Sequence, residues 1–550
     1  MLTDAGPATQ SPPFTVKDRS SQRNGEATLA WAGWVVVAVG CALRVREYVA
    51  NRSLGVDEAL LALNLIEKSP RELLGGLAFE QAAPLAFLQV EKAAIAFLGP
   101  TEYALRLLPL IASLLAVVLF YRVAQRVLRP GAATLAVAVF AFLDPLVLYS
   151  ATTKQYAFDV AAAVLILAIA TLVDERRLSE TELIAIGALG ATVLWFSHAA
   201  VFGLAALSAL LLVRALTAGT RRLTAAVSAV IAVWVASFAA HFLLSRAGIG
   251  SIVRAFERGG GEAFEPAGDG SDWLAETLDR ARYLVGLEET SSGQAAFGSF
   301  DPALNRGLTL LVVGVGVLGF VSVVRRNRAL ALMLSLPPLL AVLASALGEY
   351  PLVGRTILFA LPPVAICVGE GAACLFRAST TPRRAPLGGL AVAALVAVAL
   401  VSVTHVLEPR ESQGMREALA DLGANSKTGD ALHVSPGAQY TFAYYSLCQC
   451  APFDPATRWP FSGRVEAGDS VAVRPRSPDL IVGSDVGTED VRRLQGRERA
   501  WFLLAELDAD ERSELVDGLE ADGKLLHRFE SDAPLPARAS TFLFDLSASR

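Results

Sequence analysis

Residues 308–324 read LTLLVVGVGVLGFVSVV, a stretch that contains no charged side chain. A second stretch of this kind covers residues 387–403. A helix rises about 1.5 Å per residue, so about 17–25 such residues cross a hydrocarbon core about 30 Å thick. A soluble core cannot hide many helices that are apolar on every face. These stretches therefore predict an α-helical polytopic membrane protein.

The composition agrees with this prediction. The 550 residues are 53% hydrophobic and 18% charged, with a mean hydropathy of +0.47. Soluble domains carry about 25% charged residues. The formal net charge is −5 and no basic stripe or basic tail is present, so no nucleic-acid partner is predicted.

Apolar blocks predict about eleven transmembrane helices. They cover residues 28–45, 104–121, 131–148, 156–173, 183–197, 199–213, 224–244, 307–324, 329–347, 356–376 and 387–405. Every second short loop between them is basic, as at Arg325, Arg326 and Arg328. Because cytoplasmic loops carry the Lys/Arg excess, the N-terminus is predicted to be cytoplasmic and the C-terminus extracytoplasmic.

The chain divides into regions of different composition. Residues 1–27 are polar and predict a disordered cytoplasmic tail. Residues 28–406 hold the spans, with extracytoplasmic loops at 46–103 and 245–306 whose amphipathic segments favour the membrane interface. Residues 407–550 alternate helical patterns with β-rich runs, which predicts a C-terminal extracytoplasmic α/β domain. The β-rich runs are 432–434, 480–482, 501–504, 525–529 and 541–546.

The cysteines do not predict a disulfide framework. The chain has five, and Cys41, Cys367 and Cys374 lie in apolar segments that favour a packing role. Cys448 and Cys450 are two positions apart, a spacing that is poor for a disulfide. Free thiols are therefore the preferred interpretation of this pair.

Two adjacent carboxylates, Asp57 and Glu58, begin an amphipathic segment of the first outer loop. On a helix their side chains point about 100° apart, so they can serve different partners. One of them can act as a general base toward a hydroxyl. The alternative is an ordinary helix N-terminus, where acidic residues are favoured by the helix dipole.

Cations follow on the same predicted face. Arg106 lies four residues after Glu102 and either pairs with it or receives a phosphate. Lys154 lies at an apolar boundary, where charges are costly; the alternative to function is a snorkelling lysine paired with Asp159. Arg355 opens a late span, and its planar fork suits phosphate recognition.

Taken together, these residues place carboxylates and cations at one membrane face. A carboxylate can accept the proton of an acceptor hydroxyl, and cations can stabilise a departing phosphate. This combination predicts transfer of a group from a phosphate leaving group to a hydroxyl. His198, between two spans, is either a packing residue or part of the same cavity.

The order of these motifs resembles the GT-C membrane glycosyltransferases and is most similar to glycosyltransferase family 39, the protein O-mannosyltransferase and aminoarabinose-transferase type. The resemblance rests on Asp57-Glu58, Pro84-Leu85, EYALRLLP at 102–109, the Tyr149-Ser150 to Asp159 segment, and Gly354-Arg355. It is densest over residues 54–160 and returns around 350–363. The chain departs from the family in two places, with Gln81 near the Pro-Leu step and Thr152 where a glutamate is often found.

The resemblance implies a bacterial inner-membrane enzyme that moves a hexosyl or pentosyl group from a polyprenyl-phosphate donor to an extracytoplasmic glycolipid, polysaccharide or protein. It implies Asp57 as the general base with Glu58 beside it, and Lys154, Arg106 and Arg355 near the donor phosphate. The remaining substrate-binding candidates are Gln81, Tyr156, Asp159 and His198. No metal cluster is predicted, and a divalent cation is left open because the family does not uniformly need one.

Two alternatives remain open. A transporter or flippase of a lipid-linked substrate would be built from internal repeats with midplane polar sites. No repeat is evident in this chain, and Glu370 is an exception to the clustering of polar residues at one face. A catalytically inactive relative that scaffolds a cell-envelope complex would account for the two departures from the family pattern.

Overall fold

A computed structural model describes residues 16–175, 178–258, 302–352, 354–379, 412–448, 450–462, 470–483 and 492–547, with a few positions between 386 and 395. Most of the loop expected at 245–306, including residues 259–301, lies outside these residues. The span expected at 387–405 does so too, apart from those few positions.

The described chain is mainly helical. Its helices are α1 (Val16–Ala50), α2 (Val56–Glu67), α3 (Leu85–Leu98), α4 (Glu102–Val127), α5 (Pro130–Phe142), α6 (Asp144–Leu148), α7 (Tyr156–Glu175), α8 (Glu180–Val193), α9 (Ala200–Thr217), α10 (Arg221–Arg258), α11 (Pro302–Arg326), α12 (Arg328–Ala346) and α13 (Leu361–Ala378), followed by α14 (Met415–Asn425), α15 (Gln439–Cys448) and α16 (Ala509–Asp522). A 3-10 helix, Gly354–Ala360, leads directly into α13.

Seven helices of the described chain are long and apolar enough to cross a membrane, or up to eight if the bent pair α5 and α6 forms one span. The segment expected to span at 183–197 is the shorter helix α8, of 14 residues. The helix α1 begins at Val16, so residues 16–27, expected to be disordered, belong to a helix that continues into the first span.

A buried arginine explains the break between α5 and α6. Arg44 of α1 donates to the carbonyl oxygens of Gly40 and Ala141 and to Oγ of Ser113, each at 2.9 Å. The last carbonyls of a helix lack intrahelical partners and carry partial negative charge. The guanidinium therefore satisfies the end of α5. The short helix α6, with Pro145 in its first turn, follows at an angle of 61°.

The helices α11 and α13 approach each other through glycine. A Cβ added at Gly319 would collide with the carbonyl oxygen of Cys367, and one at Gly371 with that of Val315. Small residues allow helix backbones to pack this closely in membranes. The contact places the end of α11 against α13.

The C-terminal domain contains a five-stranded mixed sheet in the order β4-β1-β5-β7-β6. The strands are β1 (Ala431–Val434), β4 (Leu480–Val482), β5 (Ala500–Leu504), β6 (Lys524–Glu530) and β7 (Ser540–Asp545), with a separate two-residue ladder of β2 (Phe461–Ser462) and β3 (Arg474–Pro475). Each predicted β-rich run is a strand of the sheet. β1 is parallel to β4 and β5, and β7 is antiparallel to β5 and β6.

The interpretation of Cys448 and Cys450 as free thiols is wrong. The structure joins them in a disulfide with a Cα–Cα distance of 5.2 Å. Disulfides span about 4.4–6.8 Å between Cα atoms. The chain leaves α15 at this point in a conformation that brings the two side chains together despite the short spacing.

The first outer loop and the C-terminal domain share one hydrophobic core. Leu61, Leu65 and Phe87 from the loop are buried in the same cluster as Phe442 and Trp501 from the domain. Burial of apolar area stabilises such a junction by about 25 cal/mol per Å². The domain is therefore packed onto the segment that carries Asp57 and Glu58.

Candidate active site

The helix α2 directs its two adjacent carboxylates to different surroundings. Gly55 is its N-cap residue, and Asp57 and Glu58 lie in the first turn. Glu58 points into the protein, where its side chain is 5% exposed, whereas the side chain of Asp57 is 39% exposed. The divergence expected for adjacent helical residues is thus present.

Glu58 forms a buried ion pair with Arg106. Nε of Arg106 donates to Oε1 at 3.0 Å and Nη2 to Oε2 at 2.7 Å, while the backbone N–H of Thr153 donates to Oε1 at 2.8 Å. Burial opposes ionisation of Glu58, yet Arg106 holds the pKa of this carboxyl below its usual value. The pair ties α2, α4 and the segment before α7 together.

This pairing contradicts one alternative that the sequence left open. Arg106 does not pair with Glu102, which contacts Arg416 of the C-terminal domain at 3.5 Å. The third donor group of Arg106, Nη1, is bound to the carbonyl oxygen of Arg52 at 2.7 Å. Arg106 and Glu58 therefore contact each other inside the protein, and a role of either residue in phosphate binding or catalysis stays a prediction.

Asp57 belongs instead to an open group of charged and polar side chains. We call this group the Asp57 cluster, and it consists of Asp57, Gln81, Lys154 and Arg355. Arg355 forms an ion pair with Asp57, and its side chain is 38% exposed. Burial raises the pKa of Asp57, but the charges of Arg355 and Lys154 outweigh this effect and hold the pKa below its usual value. Asp57 is therefore an ionised carboxylate at neutral pH.

Lys154 is the buried member of the Asp57 cluster. Its Nζ donates to Oε1 of Gln81 at 2.7 Å, and the residue is 7% exposed. Burial lowers the pKa of Lys154 to about 8, against the opposing effect of Asp57. The alternative partner, Asp159, accepts a hydrogen bond from Ser197 at 2.5 Å instead. The lysine thus turns toward Asp57 and Gln81.

The remaining predicted site residues lie around α7. Tyr156, at its first turn, packs its ring edge-on against Tyr149 at 5.2 Å. His198 contacts the ring of His241 at 5.1 Å, and burial lowers its pKa to about 3, so it is neutral. Tyr156 lies within electrostatic reach of Arg355 and Asp57. The roles of Tyr156 and His198 at the Asp57 cluster stay predictions.

Sequence reasoning missed the contacts that hold the loop before α2. The backbone N–H of Leu54 donates to Tyr445 Oη at 2.9 Å, and Ser53 Oγ donates to Glu417 at 3.1 Å. Arg416 donates to the carbonyl oxygen of Asn51. These partners come from the C-terminal domain, 364 to 391 positions away in the chain. No local sequence pattern predicts them.

Metal ligands do not gather in the described part of the chain. No group of three or more His, Cys, Asp or Glu side chains lies close enough there to hold a metal ion. The Asp57 cluster supplies a carboxylate that can take a proton and two cations that can bind an anion.

Comparisons with known proteins give structural neighbours only. No family model and no curated protein matches the chain. The chain is similar to apo ArnT from Cupriavidus metallidurans, with 15% identity and a TM-score of 0.48 over 95% of this chain and 99% of that one. ArnT from the same organism bound to undecaprenyl phosphate is 14% identical, with a TM-score of 0.47 over 93% of this chain and 98% of that one. The oligosaccharyltransferase AglB from Archaeoglobus fulgidus, in complex with an inhibitory peptide and a dolichol-phosphate, is 12% identical. Its TM-score is 0.48 over 92% of this chain and 74% of that one.

Proposed function

We propose that this chain is a membrane glycosyltransferase that moves a sugar from a polyprenyl-phosphate donor to a hydroxyl of an extracytoplasmic acceptor. One observation carries the proposal. An accessible, ionised carboxylate, Asp57, lies beside two cations, Lys154 and Arg355. The three side chains carry one negative and two positive charges, so the cluster can accept a phosphate and still keep a base.

In the proposed reaction Asp57 accepts the proton of the acceptor hydroxyl. The hydroxyl oxygen forms a bond to the anomeric carbon of the donor sugar, and the bond from that carbon to the phosphate oxygen breaks. The electron pair leaves with the polyprenyl phosphate, whose charge Lys154 and Arg355 stabilise. Arg355, which pairs with Asp57 in the unliganded protein, exchanges part of this contact for the phosphate.

The buried residues of the site have positioning roles in this proposal. The Glu58–Arg106 pair fixes the first turn of α2 and so the direction of Asp57. Gln81 holds Nζ of Lys154 at 2.7 Å. A reacting group must be kept within a fraction of an ångström of its productive place, and such contacts supply that restraint.

The proposal includes a place in the cell. The basic ends of the spans favour a bacterial inner-membrane protein with a cytoplasmic N-terminus. The Asp57 cluster and the C-terminal domain then face the extracytoplasmic side, where a glycolipid, polysaccharide or protein can reach them. The sugar is a hexosyl or pentosyl group.

Incubation of the purified full-length protein in liposomes with radiolabelled polyprenyl-phosphate sugars tests the proposal. We expect labelled sugar to appear on an acceptor or in water, with release of polyprenyl phosphate. Label that only crosses the bilayer, as a flippase would produce, contradicts the proposal, as does the absence of any turnover. The Glu370→Gln variant serves as a control for variants of Asp57, because Glu370 is likewise paired with arginine but is 1% exposed.

A further inference from the structure

Unusual backbone conformations surround the Asp57 cluster. Over the described residues, four non-glycine positions have a positive φ: Asn51 at 45°, Phe79 at 59°, Glu80 at 53° and Glu506 at 57°. Such conformations are rare for residues with a Cβ and gather at functional sites. Asn51 precedes α2, and Phe79 and Glu80 precede Gln81. Glu506 is the one that the C-terminal domain contributes.

Glu506 directly follows β5 and is held by a buried glutamine. Nε2 of Gln413 donates to Oε1 of Glu506 at 3.2 Å, and Oε1 of Gln413 accepts from Oγ1 of Thr441 at 2.5 Å. Gln413 and Thr441 are fully buried. A Cβ added at Gly437 would collide with Glu506, so the backbone packs closely there. Residue Glu506 as a whole is exposed, while the two residues that support its carboxylate are buried.

The segment that contains Gln413 contacts the loop that carries Asp57. Ser412 precedes Gln413, and its Cβ lies 3.5 Å from the place that a Cβ on Gly55 would take. Gly55 is the N-cap residue of α2, two positions before Asp57. On the other side of the loop, Phe79 packs its ring against Tyr440 of the domain at 5.3 Å. Glu506 and Asp57 therefore belong to one junction between the membrane region and the C-terminal domain.

The charges at this junction differ from side to side. Lys154 and Arg355 act on Asp57 from the membrane region and lower its pKa. Burial, and after it the negative charge of Asp57, raises the pKa of Glu506 to about 7. Asp57 thus has cations on one side and a second carboxylate on the side of the C-terminal domain. A donor phosphate fits the first side and is repelled from the second.

We infer that Glu506 is an acceptor-positioning residue, and that it favours hydroxyl acceptors that are neutral or cationic over anionic ones. The inference rests on the proposed function and adds an acceptor side to the same site. Glu506 accepts a hydrogen bond from an acceptor hydroxyl or ammonium group, while Asp57 takes the proton of the reacting hydroxyl. Above pH 7, where Glu506 is ionised, an acceptor carboxylate or phosphate at this place would meet two carboxylates.

Three soluble acceptors of different charge test the inference: methyl glucoside, methyl glucosaminide and methyl glucuronide. Each is offered to the full-length protein with a radiolabelled polyprenyl-phosphate sugar that the wild type turns over. We expect kcat/KM for the neutral and cationic acceptors to exceed that for the anionic one at least about tenfold, and Glu506→Gln to remove most of this difference through KM.

Two further variants distinguish the effect of the Glu506 charge from that of its backbone conformation and from that of other carboxylates on the domain surface. Glu506→Gly suits the positive φ and removes the carboxylate, so it should lose the preference without loss of thermal stability. Glu520→Gln removes an exposed carboxylate from α16 and should keep the preference.

The outcomes separate the two proposals. Equal preferences in Glu506→Gln and the wild type would overturn the assignment of Glu506 while leaving the proposed function intact. Donor hydrolysis without transfer to any of the three acceptors by the wild type would do the same. A wild type that turns over no donor would overturn the proposed function and this inference with it.

Discussion

The two ends of the span Gly354–Ala378 carry the same kinds of charge in different surroundings. Arg355 at the first end contacts Asp57, and Arg377 near the other end contacts Glu370 at 3.2 Å. Since a helix rises about 1.5 Å per residue, the two arginines are on the order of 30 Å apart. Each end therefore combines a carboxylate with arginine, and composition alone does not distinguish them.

Access and hydrogen bonding distinguish the two ends. Glu370 is 1% exposed, and its Oε1 accepts from Ser322 at 2.9 Å, Arg377 at 3.2 Å and Arg326 at 3.5 Å. Asp57 is 39% exposed and lies beside a half-exposed arginine. A carboxylate enclosed by donors holds helices together, whereas one at an open surface beside surplus cations can meet a substrate. We assign structure to the Glu370 end and chemistry to the Asp57 end.

The largest expected effect comes from removing one partner of the buried Glu58–Arg106 ion pair. Arg106→Met leaves Glu58 buried without its partner, and we expect the free energy of unfolding to fall by about 3–5 kcal/mol. Chemical denaturation of the purified protein measures it. The double variant Glu58→Gln with Arg106→Met should recover much of the loss, since no unpaired charge remains. A loss below about 1 kcal/mol in Arg106→Met would contradict the structural role.

The next prediction concerns the Asp57 end of the span and the pH dependence of donor binding there. Lys154 is charged below its pKa of about 8 and neutral above it, so donor binding should weaken as pH rises. We expect kcat/KM for the donor to fall about tenfold per pH unit well above pH 8. Lys154→Arg keeps its charge and should move this limb to higher pH. If kcat/KM falls over the same pH range in Lys154→Arg as in the wild type, the fall is caused by another titrating group.

The smallest expected effect is at the Glu370 end. Glu370→Gln keeps the shape of the side chain, and the arginines around it are partly exposed, so solvent can compensate them. We expect the rate of sugar transfer to stay within about twofold of the wild type, since the residue makes no contact with reacting groups. A loss of transfer comparable to that of an Asp57 variant would erase the distinction between the two ends.

Much of the fold follows from local patterns. Uncharged apolar stretches predicted the helices, and the β-rich runs of the C-terminal domain all became strands of one sheet. Asp508 and Glu511 form a capping box at the start of α16. These features depend on neighbouring residues, so a single sequence contains them.

Long-range pairing was beyond local patterns. Glu102, four residues away, was the natural partner for Arg106, yet Glu58 from another helix takes that place. The support of Glu506 by Gln413 depends on how the C-terminal domain packs onto the first loop. Such contacts depend on tertiary packing, which periodicity does not specify. Asp57, Lys154 and Arg355 could be selected from sequence because charges at membrane boundaries are costly.

Donor turnover by the Asp57→Asn variant tests the central claim most directly. The substitution keeps the size of the side chain and removes the base, so binding of radiolabelled polyprenyl-phosphate sugar should persist while turnover falls at least about 100-fold. Membrane levels and thermal stability are measured alongside. Turnover at the wild-type rate, with the donor bound equally well, would contradict the role of Asp57 and with it the proposed reaction.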